Sequence, residues 1–157
     1  MTRTIAPSPT FGQTLTGKYL TFHVGQEQFG ISLPRVREIM SLIPTTRVPG
    51  ESPEIRGVIN LRGKIVAVMD LRRRFEMCEV ECSDRACIIV TEVRDQDRHF
   101  DMGLLVDGIG EVLKVKENDL EPPPEFGMPV DSSFILGIAK ATSGSKMLLD
   151  VDQVACH

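Results

Sequence analysis

The chain has 157 residues, a formal net charge of −4 and 41% hydrophobic residues, with no Trp and one Tyr. That length suits one compact domain or two very small ones, and a domain of this size buries roughly 68–70% of its unfolded surface. The acidic balance and few aromatic rings exclude the basic, stacking face of a nucleic-acid binder, and no apolar run reaches the roughly 18–20 residues that span a bilayer.

Residues 1–17 are rich in Thr, Ser, Pro and Gly, with Ile5, Phe11 and Leu15 as the larger apolar side chains. They cannot offset their ordering entropy by burial and lack the continuous apolar core of a signal peptide, so a flexible tail and a cytoplasmic location are expected. From Tyr19 onward the pattern changes to short β-rich runs separated by Gly and polar clusters: YLTFHV, FGISL, IRGVIN, KIVAVMD, ACIIVTEV, FDMGLLV, EVLKV, FILGIAK and KMLLDV. Alternation and β-branched content predict nine or ten strands, with no helical pattern of ten or more residues between them. The chain therefore reads as all-β, with barrel or sandwich topology. Short helical pieces are expected after Asp70 (LRRRFE) and after Asp150 (VDQVA). Each aspartate can cap a first turn, and Gln153 sits where a capping-box partner would. The Pro-rich EPPPEFGMP, residues 121–129, predicts an extended connection without strands.

The chain also resembles itself. Sliding by 80 places Ile55, Gly57, Val58, Asp70 and Leu71 on Ile135, Gly137, Ile138, Asp150 and Val151; sliding by 73 places Phe29, Gly30, Ile31, Val36, Glu38 and Ile39 on Met102, Gly103, Leu104, Ile109, Glu111 and Val112. A duplication predicts two small barrels, over about residues 18–80 and 81–157, with strand exchange between them allowed for. Units of about 65 residues are marginal alone, so the two should pack on each other. The repeat breaks at one turn: Asn60-Leu61-Arg62-Gly63 lies opposite Lys140-Ala141-Thr142-Ser143, leaving Arg62 without a counterpart.

Catalytic inventories fit poorly. His23, His99 and His157 read as surface histidines with no nucleophile placed beside them, and Asp70 and Asp150 are accounted for as helix caps. Cys78, Cys82 and Cys87 have a C-x₃-C-x₄-C spacing that is no recognised zinc knuckle, so reduced thiols are expected. The run Arg72-Arg73-Arg74, offset by nearby acids, reads as a solvated helical face. No catalytic residue, metal site or cofactor is expected. What remains is LPRVREIM, residues 33–40, where Val36, Ile39 and Met40 alternate with charges as an edge strand would, or as a partly exposed apolar strip beside Arg62. Arginine at such a rim can make forked hydrogen bonds to a protein partner.

Five segments carry a resemblance: FGISLPRVREI (29–39), IRGVINLRGKIVAVMDLRRRF (55–75), GLLVDGIGEVL (103–113), PPEFG (123–127) and ILGI (135–138). In this order they resemble the CheW family of bacterial chemotaxis adaptors. The resemblance implies two intertwined five-stranded SH3-like barrels and a non-catalytic adaptor. It implies coupling between the cytoplasmic tips of chemoreceptors and the regulatory domain of a chemotaxis histidine kinase, at membrane-associated arrays and without membrane insertion. Matched by position, it implies receptor-binding roles for Val36, Glu38, Ile39, Arg62, Gly63 and Val112, and a kinase-binding role for Gly57. The longer charged loop over residues 94–99 departs from a minimal hairpin. The same modules also serve pilus, second-messenger and developmental pathways, and a small-ligand-binding barrel is the alternative from another class.

Overall fold

The computed structural model describes residues 13–77 and 83–156. Cys78, Cys82, His157 and the first twelve residues of the expected tail lie outside the described residues. A 3₁₀ turn, Gln13–Leu15, leads into β1 (Gly17–Val24), and the Tyr19 hydroxyl donates to the Leu15 carbonyl at 2.7 Å. There follow β2 (Glu27–Ser32), a 3₁₀ turn at Leu33–Arg35 with Pro34 in its first turn, β3 (Val36–Ser41), β4 (Ile55–Leu61), β5 (Lys64–Asp70) and α1 (Leu71–Arg74). The second half supplies β6 (Cys87–Asp95), β7 (Arg98–Val106), β8 (Gly108–Val115), β9 (Leu120–Glu121), β10 (Ile135–Ala139), β11 (Lys146–Leu149) and α2 (Val151–Cys156). The Pro-rich connection gives up only Glu121 to a strand, pairing it with Ile138, and residues 122–131 carry no strand. Both aspartate caps form: Asp70 accepts from the Arg72 amide at 3.0 Å and Asp150 from the Gln153 amide at 3.2 Å.

The fold is all-β, two curved half-barrel sheets, and each sheet is built from both halves of the chain. One runs β8-β1-β2-β11-β10-β9, the other β3-β6-β7-β5-β4. The rule is reciprocal. In each sheet the first hairpin of one half is flanked by the third strand of the other half on one side and by its last two strands on the other. The junctions are parallel pairs, β2 with β11 and β5 with β7, and their registers coincide under the repeat: Leu148 lies opposite Gly30 as Val68 lies opposite Gly103. Both positions need glycine because side chains close over them. A Cβ on Gly30 would stand 3.0 Å from Leu148 Cδ2, and one on Gly103 would stand 2.7 Å from Ile88 Cγ2.

Alternation along the strands sends side chains to three cores. The largest lies between the sheets and holds Leu20, Phe22, Val24, Phe29, Ile31, Ile89, Val93, Leu104 and Val154. Within it Phe22, Phe29, Phe75 and Phe134 form a chain of ring contacts with centroid separations of 5.7, 5.2 and 5.8 Å. The second core, with Ile59, Val66, Val68, Ile88 and Val90, fills the sheet that carries β3; the third, with Tyr19, Val115, Ala139 and Leu148, fills the other.

The basic run after Asp70 is a correction to the sequence reading. Arg72 is only 6% exposed, and it faces inward because α1 is one turn long and packs on β7. Its Nε donates to Asp107 Oδ1 at 2.8 Å, Nη2 donates to the same oxygen, and Asp107 Oδ2 accepts the Gly25 amide at 2.6 Å. The pair thus ties α1 to the β1–β2 turn of the opposite sheet. Arg74 donates to the Val154 carbonyl at 2.9 Å and lies 4.8 Å over the Phe134 ring, joining α1 to the last helix; only Arg73 of the three is exposed. A second tie is bidentate: Arg35 binds both carboxylate oxygens of Asp152 at 2.8 Å, and Asp152 also accepts the Arg94 amide at 2.7 Å.

Arg72→Ala leaves the half-buried Asp107 carboxylate without its cation and should cost about 3 kcal/mol in urea unfolding. The Arg35 hydrogen bonds hold the Asp152 carboxyl below the usual carboxylate range. Its contribution to stability is full above the unfolded pKa of about 3.9 and is lost as pH falls through the lower folded value. Asp152→Asn should therefore lower the melting temperature at pH 7 and narrow its gap to wild type progressively below about pH 4.

Candidate docking surface at the Arg62 turn

The β4–β5 hairpin closes on two residues, Arg62 at φ 52° and Gly63 at φ 84°, after the last pair Leu61↔Lys64. Two consecutive positive φ values match the twist of the flanking strands in a two-residue hairpin loop, and Asn60 Oδ1 locks the turn by accepting the Gly63 amide at 2.9 Å. The duplicated hairpin is looser. β10 and β11 part after Ala139↔Lys146, so the pairs equivalent to Asn60↔Ile65 and Leu61↔Lys64 are missing. The break in the repeat is therefore structural as well as chemical: of these two hairpins, the one in the first half stays paired up to its tip.

Arg62 is 73% exposed at its side chain, and its Nη2 meets Glu38 Oε1 at 2.7 Å. Glu38 pairs across β3–β6 with Val90, a second-core residue, so it stands on the barrel-interior side of β3. The next residue, Ile39, pairs with Ile89 of the inter-sheet core and leaves 47% of its surface in solvent. Val112, its mate under the 73-residue repeat, pairs with Leu20 of that same core and is 52% exposed. Ile39 and Val112 thus mark corresponding places on the two edge strands β3 and β8, both on the side shared by the sheets. Val36 packs on the rim of the inter-sheet core, on the far side of a register shift from Glu38. The structure brings Arg62, Gly63 and Glu38 together, and sets Ile39 and Val112 apart on another face of the sheets.

Gly57 has a packing reason of its own. It is buried in β4 beneath the β3–β4 loop, where Thr46 exchanges two backbone hydrogen bonds with Val58, and a Cβ there would lie 2.6 Å from the Thr46 carbonyl oxygen.

Beside the turn is an open cleft of about 480 Å³ lined by Arg37, Glu38, Arg62, Lys64, Glu92, His99 and Asp101, among others. Its carboxylates are engaged. Glu38 holds Arg62; Glu92 takes Arg37 at 2.6 Å and Arg94 at 2.9 Å, with His99 Nδ1 at 3.7 Å; Asp101 faces Arg37 at 3.5 Å. The Arg94 hydrogen bond holds the Glu92 carboxyl below its ordinary range. This is a network of ion pairs whose carboxylates are already engaged by arginines, a poor arrangement for a general acid and a good one for a charged rim. Sequence reasoning missed Arg37, Glu92 and Asp101, which meet only through β3–β6–β7 pairing, and Ile65, which is 68% exposed just beyond the Arg62–Gly63 turn. Among the described residues no three His, Cys, Asp or Glu side chains converge as a metal site, and burial pushes the Cys87 thiol up.

Arg62→Gly separates side chain from turn. It removes an exposed ion pair worth up to about 1 kcal/mol while relieving a left-handed non-glycine residue, so thermal unfolding should change little. Gly57→Ala should instead destabilise the fold by about 1–3 kcal/mol, since the Thr45–Thr46 backbone must move.

Comparison with known proteins places this architecture. Residues 18–156 match the CheW-like domain family. The chain is 32% identical over 141 residues to the chemotaxis protein CheW of Klebsiella aerogenes, covering 90% of this chain and 81% of that one. It is 39% identical over 108 residues to the chemotaxis protein CheW of Bacillus subtilis, covering 69% and 67%. The crystal structure of the scaffolding protein TtCheW from Thermoanaerobacter tengcongensis superposes with a TM-score of 0.80 at 32% identity, over 88% of this chain and 92% of that one. With the family's domain matched over residues 18–156 and the fold shared with a solved relative, this chain belongs to the CheW family.

Proposed function

We propose that this chain acts as a non-catalytic chemotaxis adaptor in the cytoplasm, coupling the tips of chemoreceptors to the regulatory domain of a chemotaxis histidine kinase at membrane-associated arrays. The observation that carries this reading is the pairing of Ile39 and Val112. They are exposed aliphatic residues at corresponding points of the two sheets' edge strands, and Arg62 is held at the tip of the β4–β5 hairpin against Glu38, the residue before Ile39. A receptor tip is a helical hairpin, and an apolar helix stripe can lie against Val36, Ile39 and Val112 while Arg62, preset by Glu38 and Gly63, fixes its register by hydrogen bonding. The rigid turn lowers the ordering cost of that contact. Gly57 acts differently: it sets the path of the Thr45–Thr46 loop, and the kinase reads the loop. Occupying two surfaces at once raises the effective concentration of receptor and kinase for each other without any turnover.

The test is binding of the purified chain to a soluble receptor-tip fragment and to the kinase regulatory domain. Arg62→Gly, Ile39→Asp and Val112→Asp should each weaken receptor binding by about tenfold or more while leaving kinase binding within about twofold of wild type. Unchanged receptor affinity in all three variants would refute the assignment of this surface. Failure of wild type to bind either partner would refute the adaptor reading.

A further inference from the structure

Lys146, the first residue of β11, is 3% exposed. The duplication places it on Val66, which fills the equivalent position of the other sheet's core, so the fold does not require a cation there. The ammonium is held by neutral oxygens alone: Nζ donates to Gln28 Oε1 and, at 3.4 Å, to the Ser143 carbonyl. Among the described residues no carboxylate pairs with it. Glu111, joined to this network through Ser143, accepts at Oε1 from the Ser143 hydroxyl at 3.3 Å. A buried charge without a counter-ion is costly and calls for one from outside.

The neighbouring cavity is suited to supply it. A depression of about 220 Å³ is lined by Thr21, Phe22, His23, Gln28 and Gly110. His23 and Gln28 are direct partners across β1–β2, and β11 lies next to β2 with Met147 opposite Phe29, so His23, Gln28 and Lys146 form one row across three strands. Because the Gln28 amide oxygen is committed to the ammonium, its two N–H donors are left for other partners, polarised by the charge behind them. His23 makes no side-chain hydrogen bond in the described structure, and its ring lies against Gly108, where a Cβ would stand 2.5 Å from Cε1. Donors and a small recess therefore coincide at this barrel mouth, with a buried positive charge behind Gln28.

We propose that this mouth binds a small oxyanion, a phosphate or carboxylate group, through Gln28 and His23, with Lys146 as the charge behind it. The site is separate from the Arg62 turn, and its test involves neither receptor nor kinase.

The experiment is an NMR titration of ¹⁵N-labelled full-length protein with sodium phosphate, and separately with sodium acetate, each at constant ionic strength against sodium chloride. At least one of the two should give saturable shifts confined to the amides around His23, Gln28, Gly110 and Lys146, with a roughly millimolar Kd. Which anion saturates assigns the phosphate or the carboxylate class. Two variants bracket the cation. Lys146→Met removes it, and Gln28→Glu supplies an internal counter-ion that keeps the site folded. Both should weaken the saturating anion by about tenfold or more. Shifts that stay linear with both anions, spread over the surface, or persist unchanged in the folded Gln28→Glu protein would overturn the proposal.

Discussion

Neither half of this chain can complete a sheet by itself. Each first hairpin, β1–β2 or β6–β7, has its flanks filled by strands of the other half, and the parallel joins at Gly30–Leu148 and Gly103–Val68 are where the exchange is made. A unit of about 65 residues buries too little surface to be secure alone, and reciprocal exchange replaces two marginal cores with one continuous structure. The inter-sheet core, with its run of four phenylalanines, is then shared, and the Arg72–Asp107 and Arg35–Asp152 pairs reinforce the same joint.

That constraint explains how a small β protein can display a precise surface. Edge strands β3 and β8 each pair on one side with a central hairpin that belongs to the opposite half, so Ile39 and Val112 are each anchored to the half that does not carry them. Symmetry of this kind would make two equivalent faces. It is broken at the hairpin tips, where the first half keeps two extra strand pairs and Arg62 and the second half opens into a loop ending at Lys146. In the first half the acid at the repeat position, Glu38, meets an arginine; in the second its mate Glu111 meets Ser143. Duplicated frameworks diverge most cheaply where the backbone is solvated, and the two tips show that divergence.

Much was legible in one dimension because it rests on local rules. Alternation gave the strands, the aspartate caps gave both helical turns, and the break in the repeat marked the Asn-Leu-Arg-Gly turn. The misses share a cause. Arg72 read as solvated because a run of three arginines is polar by composition, yet α1 is one turn long and turns one of them into the joint between sheets. Lys146 opens the run KMLLDV, and its burial opposite Gln28 follows from the β2–β11 pairing. The cleft network of Arg37, Glu92 and Asp101 joins residues more than fifty positions apart, a distance that no local pattern spans.

By itself, the sequence determined the class of fold and the family, since each follows from spacing within a few residues or from motifs in order along the chain. The tertiary structure decided which half completes which sheet, that Glu38 and Ile39 serve opposite faces of one strand, and which charged side chains are buried. Those outcomes depend on register between distant strands, and register is set by the collective packing of both halves rather than by any segment's own preference.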